Sequence, residues 1–238
     1  MKQFFKEAFY EPHHKKFLPI NNFYAFLTIV SISSIILETI PALSQYSQIF
    51  TAIEYFSVSF FTLEYIGRLI GAEKPTDYTL SFFGIIDFLS VAPALFGFGN
   101  FTVLKAARIL RIIRLLRTIR LLNIDGIKHK HPHTPHKLTL LNFEIYFISL
   151  IAAIIISATI IYVTEPQNEL FETIPYAMLW SSKVILGSMG AAQPVTILGQ
   201  LVMIGSRFIG LILFGLLITV IGTTAKRIIF GSARRGFE

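Results

Sequence analysis

Six basic residues recur at every third position of one otherwise apolar segment. The pairs between them are apolar or small, as in Ala106-Ala107 and Ile112-Ile113. On an α-helix this spacing produces a slowly spiralling stripe of cations, and on a 3₁₀-helix it produces a straight one. Such a stripe could move charge through a bilayer, because buried cations are tolerated where they pair or face water. This basic ladder consists of Lys105, Arg108, Arg111, Arg114, Arg117 and Arg120.

Acidic residues in other apolar segments are candidate partners for the ladder. Glu64 and Arg68 follow Phe61 by three and seven positions, which places the three side chains on one helical face. Each acid alone could equally serve a structural ion pair or a helix end. A basic amphipathic helix on the membrane surface would also mix arginine with leucine, but it would not require these acids. The candidate partners are Glu38, Glu54, Glu64 and Asp87.

The composition is typical of a membrane protein. Of the 238 residues, 53% are hydrophobic and 15% are charged, against about 25% charged residues in a globular domain. Nucleic-acid binding explains the net charge of +7 poorly, because the basic residues stand in short blocks between apolar runs. A bilayer-crossing helix needs about 20 mostly apolar residues. The candidate spans are Phe23–Ile40, Ile49–Ala72, Leu80–Gly97, Leu140–Val163 and Leu198–Ile229, with the ladder segment Phe101–Ile124 as a sixth.

The basic blocks predict the orientation of these spans. If six helices cross, the flanking lysines and arginines fall on one side, whereas Glu165, Glu169 and Glu172 fall on the other. By the positive-inside rule both termini are cytoplasmic, in a multi-pass protein of the plasma (inner) membrane. The segment Phe171–Leu186 is too short to cross and is followed by Gly, Ala and Pro194, which predicts a re-entrant helix and loop. Pro175 fits the first turn of this short helix, and Thr173 is available as its cap.

These patterns together resemble the voltage-gated potassium channel family, within the voltage-gated cation channel superfamily. The matching segments are Phe61-Thr-Leu-Glu64-Tyr-Ile-Gly-Arg68, Ile85-Ile86-Asp87, Ala92-Pro93 and the pore-helix entry Phe171–Trp180. The resemblance implies that Phe61, Glu64 and Asp87 form an occluded charge-transfer site through which each arginine passes. It also implies that the ladder carries the gating charges, that Glu54 is a counter-charge, and that the chain is a homotetramer. Glu38 is a further candidate counter-charge because it lies near the outer end of the first span.

The expected fold is therefore an all-α membrane protein with six transmembrane helices. A four-helix voltage-sensor domain precedes a two-helix pore domain with a re-entrant pore helix, and the assembly is tetrameric. The expected boundaries are a cytoplasmic N-terminal segment at 1–22, the sensor at 23–124, a linker at 125–139, the pore domain at 140–230 and a cytoplasmic tail at 231–238.

The expected selectivity filter departs from the family pattern. A potassium filter reads Thr-Val-Gly-Tyr-Gly, in which alternate glycines let successive carbonyls face the ion. Here the two glycines are three positions apart, and no acid is present to build a carboxylate ring. In the last helix, Gly210 and Gly215 could form a gate hinge or permit close helix packing. The filter region comprises Gly187, Ser188, Met189, Gly190 and Ala191.

Two cations of the pore domain need a partner or water. Arg207 could pair with Glu169 or Glu172 of its own or a neighbouring subunit, which would be a structural role. Lys183 on the pore helix could instead form a positive ring that repels cations and admits anions.

Histidines are concentrated in the linker between the two domains. They could bind Zn²⁺ or sense pH, but a solvated basic loop near lipid headgroups is the interpretation we favour. Two prolines in the same stretch, Pro132 and Pro135, would interrupt the amphipathic helix that the family has there. The four histidines are His129, His131, His133 and His136.

The sequence predicts a voltage-gated channel that passes monovalent cations with atypical selectivity. The alternatives are a voltage-sensing regulatory protein with a non-conducting pore, and an anion- or proton-permeable variant. No enzyme and no cofactor are expected, because the sequence contains no nucleophile–base motif and no phosphate loop. The expected partners are the lipid bilayer, permeant ions and further copies of the chain.

Overall fold

The computed structural model describes residues 2–11, 14–95 and 135–230, and the regular elements in these ranges are helices. The first part, which we call the N-terminal bundle, contains α1 (Lys2–Phe9), α2 (Phe17–Glu38), a 3₁₀ segment (Pro41–Tyr46), α3 (Ser47–Gly71), α4 (Pro75–Thr79) and α5 (Phe82–Leu95). The second part, the C-terminal unit, contains α6 (Pro135–Thr164), a 3₁₀ segment (Glu169–Phe171), α7 (Ile174–Ile185) and α8 (Ile197–Phe230).

Four segments of the described chain are long and apolar enough to cross a membrane. They are Phe17–Glu38, Pro41–Gly71, Phe143–Thr164 and Ile197–Gly222. These segments coincide with four of the six predicted spans. The predicted span at 80–97 overlaps α5, of which 14 residues are described, and the ladder segment lies outside the described residues. The structure therefore supports a multi-pass, all-helical chain over the described ranges, and the count of six spans stays a prediction.

The N-terminal helix α1 packs against α3 and α2. An eight-residue helix is marginal by itself in water, so its stability has to come from this packing. The rings of Phe5 and Phe9, one turn apart, are stacked with centroids 6.4 Å apart, and both rings lie over Gly67 of α3. A Cβ at Gly71 would lie 2.9 Å from the carbonyl carbon of Phe5. The two glycines of α3 therefore let α1 approach closely.

In the C-terminal unit, the short helix α7 packs against both α6 and α8. The rings of Phe171 and Trp180 meet edge to face at 5.2 Å, in a buried cluster that includes Ala158 and Ile161 of α6 and Met203 of α8. The hydroxyls of Ser157 and Ser206 join α6 to α8 by a buried hydrogen bond of 3.0 Å. At 12 residues, α7 is too short to cross a bilayer, as predicted.

The start of α6 differs from the predicted linker. Pro135 was expected to interrupt a helix, but α6 begins at this residue. Proline fits the first position of a helix, because the N–H group that it lacks would have no partner within the helix there. His136 consequently belongs to the first turn of α6. The other three histidines of the predicted linker, His129, His131 and His133, lie outside the described residues.

Candidate functional site

A buried ion pair lies near the end of α3 against which α1 packs. Glu64 and Arg68, one helical turn apart, are joined by contacts of 2.8 Å and 2.9 Å from the guanidinium nitrogens Nη2 and Nε to Oε1. The two residues are only 3% and 7% exposed. A charge at such depth is stable only when it is paired and its hydrogen-bonding groups are satisfied.

Two residues outside α3 complete the surroundings of Arg68. Asn21 of α2 accepts a hydrogen bond from Nη2 of Arg68 at 3.1 Å, and its own amide donates to the carbonyls of Ala8 and Phe17. The ring of Phe9 in α1 lies 4.7 Å from the guanidinium carbon, a cation–π contact. We call Phe9, Asn21, Glu64 and Arg68 the Arg68 cluster. Sequence reasoning missed Phe9 and Asn21, because neither pairs with Arg68 by spacing along one helix.

Phe61 and Asp87, the other two members of the predicted charge-transfer site, are both 0% exposed. Phe61 packs against Leu27 of α2 and Val91 of α5, so it lies where three helices meet. Asp87 accepts a hydrogen bond from the hydroxyl of Tyr78 in α4. The structure therefore buries all three predicted residues in the N-terminal bundle.

The two predicted counter-charges are placed differently from the charge-transfer residues. Glu54 lies on α3 and is partly buried, whereas Glu38 is exposed at the last position of α2. All six ladder residues, which would meet these acids, lie outside the described residues. The structure therefore describes the acids, but not their pairing with the ladder.

The start of α7 agrees with the sequence prediction. Thr173 is the N-cap residue, and its hydroxyl accepts a hydrogen bond of 3.4 Å from the backbone N–H of Tyr176. Pro175 lies in the first turn, where the missing N–H has no cost. The expected cap and the expected proline position are confirmed.

Gly187, the first glycine of the predicted filter region, caps the C-terminal end of α7. Gly187 has φ +85°, the left-handed conformation that favours glycine. Its N–H donates to the carbonyl of Val184 at 3.1 Å, and the N–H of Ser188 donates to the carbonyl of Lys183 at 2.8 Å. This pair of bonds is the Schellman motif that ends many helices. Gly187 therefore acts here as a helix cap.

The rest of the filter region is tied to α7 by a tryptophan. The indole N–H of Trp180 donates to the carbonyl of Ala192 at 2.7 Å, and Ala191 beside it is buried. Between these anchors the loop is exposed at Ser188, Met189 and Gly190. The loop is thus held at both ends while its middle projects from the subunit.

Arg207 shares a cavity of about 570 Å³ with the beginning of the filter region. Gly187, Ser188 and Met189 line it on one side, and Arg207 with Gly210 of α8 on another. Arg207 forms no ion pair with the described residues of its own chain, so the predicted pairing with Glu169 or Glu172 is not present within one subunit. Lys183 is likewise exposed, and it has no acidic partner in the same ranges.

The two glycines proposed as a gate hinge have different surroundings. A Cβ at Gly210 would collide with the carbonyl group of Ile185 at the end of α7, whereas one at Gly215 would meet nothing within 4 Å. Gly210 therefore serves close helix packing, the second of the two interpretations. α8 continues as one helix through both positions.

Glu165, which the sequence did not single out for a specific contact, lies directly after α6 and contacts the residue that precedes α8. It is 2% exposed and accepts hydrogen bonds of 2.6 Å and 2.7 Å from the backbone N–H and hydroxyl of Thr196. Burial alone would raise the pKa of Glu165, but the hydrogen bonds from Thr196, Val195 and Asn168 outweigh it and lower the pKa below its ordinary value. Glu165 is therefore a structural carboxylate that holds the start of α8.

Metal-ligating side chains do not cluster in the part of the chain that the structure describes. Over residues 2–11, 14–95 and 135–230, no group of three His, Asp or Glu side chains could hold a metal ion. Three of the four linker histidines fall outside these ranges.

Comparison with known proteins supports the transport of ions. A family model described as "Ion transport protein" matches residues 18–228. The match covers the N-terminal bundle from the second residue of α2 and extends through α7 into the last part of α8. No curated protein matches the sequence significantly.

Proposed function

This chain belongs to the ion transport protein family, and from that premise we propose that it is the subunit of a homotetrameric voltage-gated channel. The channel passes monovalent cations with atypical selectivity across the plasma membrane, with both termini in the cytoplasm. Channels of this family are not enzymes.

The observation that carries this proposal is the buried acidic site of the N-terminal bundle. Glu64 and Asp87 are nearly inaccessible, and Phe61 is fully buried against Leu27 and Val91. Carboxylates at this depth can stabilise cations that would otherwise be costly in a bilayer. In our proposal the ladder residues Lys105 to Arg120 pass this site one after another as the membrane potential changes.

The energy available to such a ladder is large enough to control a gate. Moving one elementary charge through 100 mV is worth about 2.3 kcal/mol, so roughly three charges in each of four subunits provide on the order of 25 kcal/mol. This exceeds the few kcal/mol that separate two conformations of a typical protein.

Neutralisation of two ladder residues tests the sensor. The variant Arg111→Gln/Arg114→Gln should flatten the conductance–voltage curve, with a gating charge lower by roughly a third if all six cations contribute equally. The measurement is macroscopic current or gating current from reconstituted protein. The matched control is Lys128→Gln, which removes a cation outside the ladder and should leave the slope unchanged. An unchanged gating charge in the double variant contradicts the proposal.

One observation favours a second candidate, an anion-permeable pore. Arg207 lines the same cavity as Gly187 and Ser188, without an acidic partner within its own subunit over the described residues. Rings of arginine or lysine are a feature of anion pores, whereas rings of acids are a feature of cation pores. Four copies of Arg207 around a common axis would build such a ring.

A recording with asymmetric salts separates the two candidates. With unequal KCl on the two sides of a planar bilayer, the reversal potential of a cation channel approaches the potassium potential, and that of an anion channel approaches the chloride potential. If Arg207 sets the selectivity, Arg207→Gln should shift the reversal potential toward potassium. The matched control is Lys226→Gln near the end of the chain. Gating charge without ionic current would support the regulatory protein with a closed pore.

A further inference from the structure

The end of α2 that lies away from α1 contacts the pore helix of the same chain. The hydroxyl of Thr39 accepts a hydrogen bond of 3.1 Å from the backbone N–H of Ile174. Ile174 is the first residue of α7, and the first N–H groups of a helix have no partner within the helix. Thr39 of the N-terminal bundle therefore supplies a hydrogen-bond acceptor for an N–H group that has none within the pore helix.

An apolar contact continues this interface into the membrane-spanning region. Ile32 and Ile35 of α2, Ile155 of α6 and Ile174 of α7 form one buried cluster, in which each residue is at most 7% exposed. Apolar residues gain little from leaving lipid, so close packing and a satisfied polar group must hold such an interface together. The cluster supplies the packing, and the bond between Thr39 and Ile174 supplies the polar contact.

The opposite surface of the C-terminal unit remains open within one chain. Exposed apolar side chains there include Tyr176 and Leu179 on α7 and Leu201, Ile204 and Phe208 on α8. The C-terminal unit thus has one surface that its own α2 covers and another that is available to neighbouring subunits. A neighbouring subunit can therefore contact the second surface without displacing α2 from the first.

We propose that each N-terminal bundle packs on the C-terminal unit of its own subunit, so that the tetramer assembles without exchange of bundles between chains. This inference rests on the tetramer of the proposed function. In an exchanged assembly, the same two surfaces would meet between different chains. The movement of one sensor would then act first on a neighbour's pore helix, whereas here it acts on its own.

Disulfide trapping distinguishes the two arrangements. The chain contains no cysteine, so Thr39→Cys/Ile174→Cys introduces a single possible pair in each subunit. After oxidation in membranes, we expect the band to remain at monomer size on a non-reducing gel, with both thiols lost to maleimide labelling. Dimers and higher species on the gel would overturn the proposal, because they require the bridge to join different chains.

Further variants keep the experiment decisive. Ile35→Cys/Ile174→Cys tests a second pair from the same cluster, and Leu37→Cys/Ile174→Cys is the matched control, because Leu37 is 41% exposed on the same helix. Co-expression of Thr39→Cys and Ile174→Cys on separately tagged chains should give no tagged heterodimer. Failure of both expected pairs to form, with thiols that remain reactive, would show that the interface does not exist.

The mass of the unreduced assembly separates this inference from the proposed function. A bridge within one chain in a particle of four chains supports both. The same bridge in a single-chain particle supports the packing of α2 on α7 and overturns the tetramer. A bridge between chains in a particle of four supports the tetramer and overturns the packing of each bundle on its own subunit.

Discussion

The N-terminal bundle and the C-terminal unit bury polar groups of different kinds. In the bundle the buried polar residues include a full ion pair, Glu64 with Arg68, and a further carboxylate at Asp87. In the C-terminal unit, hydroxyls and backbone groups predominate, as in the bond between Ser157 and Ser206. The carboxylate of Glu165 is also buried there, but it receives neutral donors instead of a cation.

This difference fits the two tasks that we propose for the two parts. An ion pair can exchange one cation for another with little change in geometry, because charge attraction acts over a longer distance than a hydrogen bond. Bonds between neutral groups depend on short distances and good angles, so they hold a loop in one position. The bundle is therefore suited to transfer charge, and the C-terminal unit is suited to keep a pore loop in place.

The strongest test of this comparison is Glu64→Gln. The substitution leaves the buried guanidinium of Arg68 without its carboxylate, and breaking a buried pair in this way costs on the order of 3–5 kcal/mol. Unfolding of the purified protein in detergent, followed by circular dichroism, measures the loss. The matched control is Glu38→Gln, which changes an exposed acid. It should change the free energy of unfolding by no more than about 0.5 kcal/mol. Equal effects of the two substitutions would show that the buried pair of Glu64 and Arg68 contributes no more to stability than an exposed acid of the same bundle.

A smaller effect is expected for Glu165→Gln, and it depends on pH. Because the pKa of Glu165 is lowered in the folded state, its contribution to stability is fully present above its ordinary value of 4.5 and is lost as the pH falls below that value. Charge-assisted hydrogen bonds predict a loss of about 1.5–3 kcal/mol at neutral pH. Melting temperatures between pH 7 and pH 3.5 should fall less steeply for Glu165→Gln than for the parent. Glu169→Gln, an exposed neighbour, serves as the control.

The smallest effect is expected for Trp180→Phe. A smaller aromatic ring remains, and the carbonyl of Ala192 loses its donor; the lost hydrogen bond itself costs about 1 kcal/mol. Single-channel recordings should show a less stable conducting level, because one anchor of the filter region is gone. Tyr55→Phe, which removes a hydroxyl from an exposed aromatic side chain of α3, should leave both stability and current unchanged. A conducting level as steady as that of the parent would mean that the bond does not hold the loop.

Several local features followed from the sequence because their causes lie within a few residues. Thr173 and Pro175 predicted the start of α7, since a cap and a first-turn proline act on the nearest backbone groups. Spacing along α3 placed Phe61 and Glu64 on one face, and both are buried. Hydropathy alone identified four spans that agree with the structure, because bilayer thickness determines helix length.

Other features could not be predicted, because their partners are distant in the chain. Asn21 reaches Arg68 across 47 positions, and Thr39 reaches Ile174 across 135 positions. Gly187 was assigned to the filter region from its place in the family pattern, but its bonds at the end of α7 also make it a helix cap. In each case the residue type allowed several roles, and the neighbour in space selected one.

The sequence by itself determined the class of the protein, because apolar length and charge placement govern how a chain enters a bilayer. It also placed Phe61 and Glu64 on one face of α3, since helical spacing is a local property. Only the tertiary structure decided which groups satisfy those buried charges, and that the end of α2 meets the start of α7. These contacts depend on how separate helices pack against one another, and hydropathy and spacing along a single helix do not specify that packing.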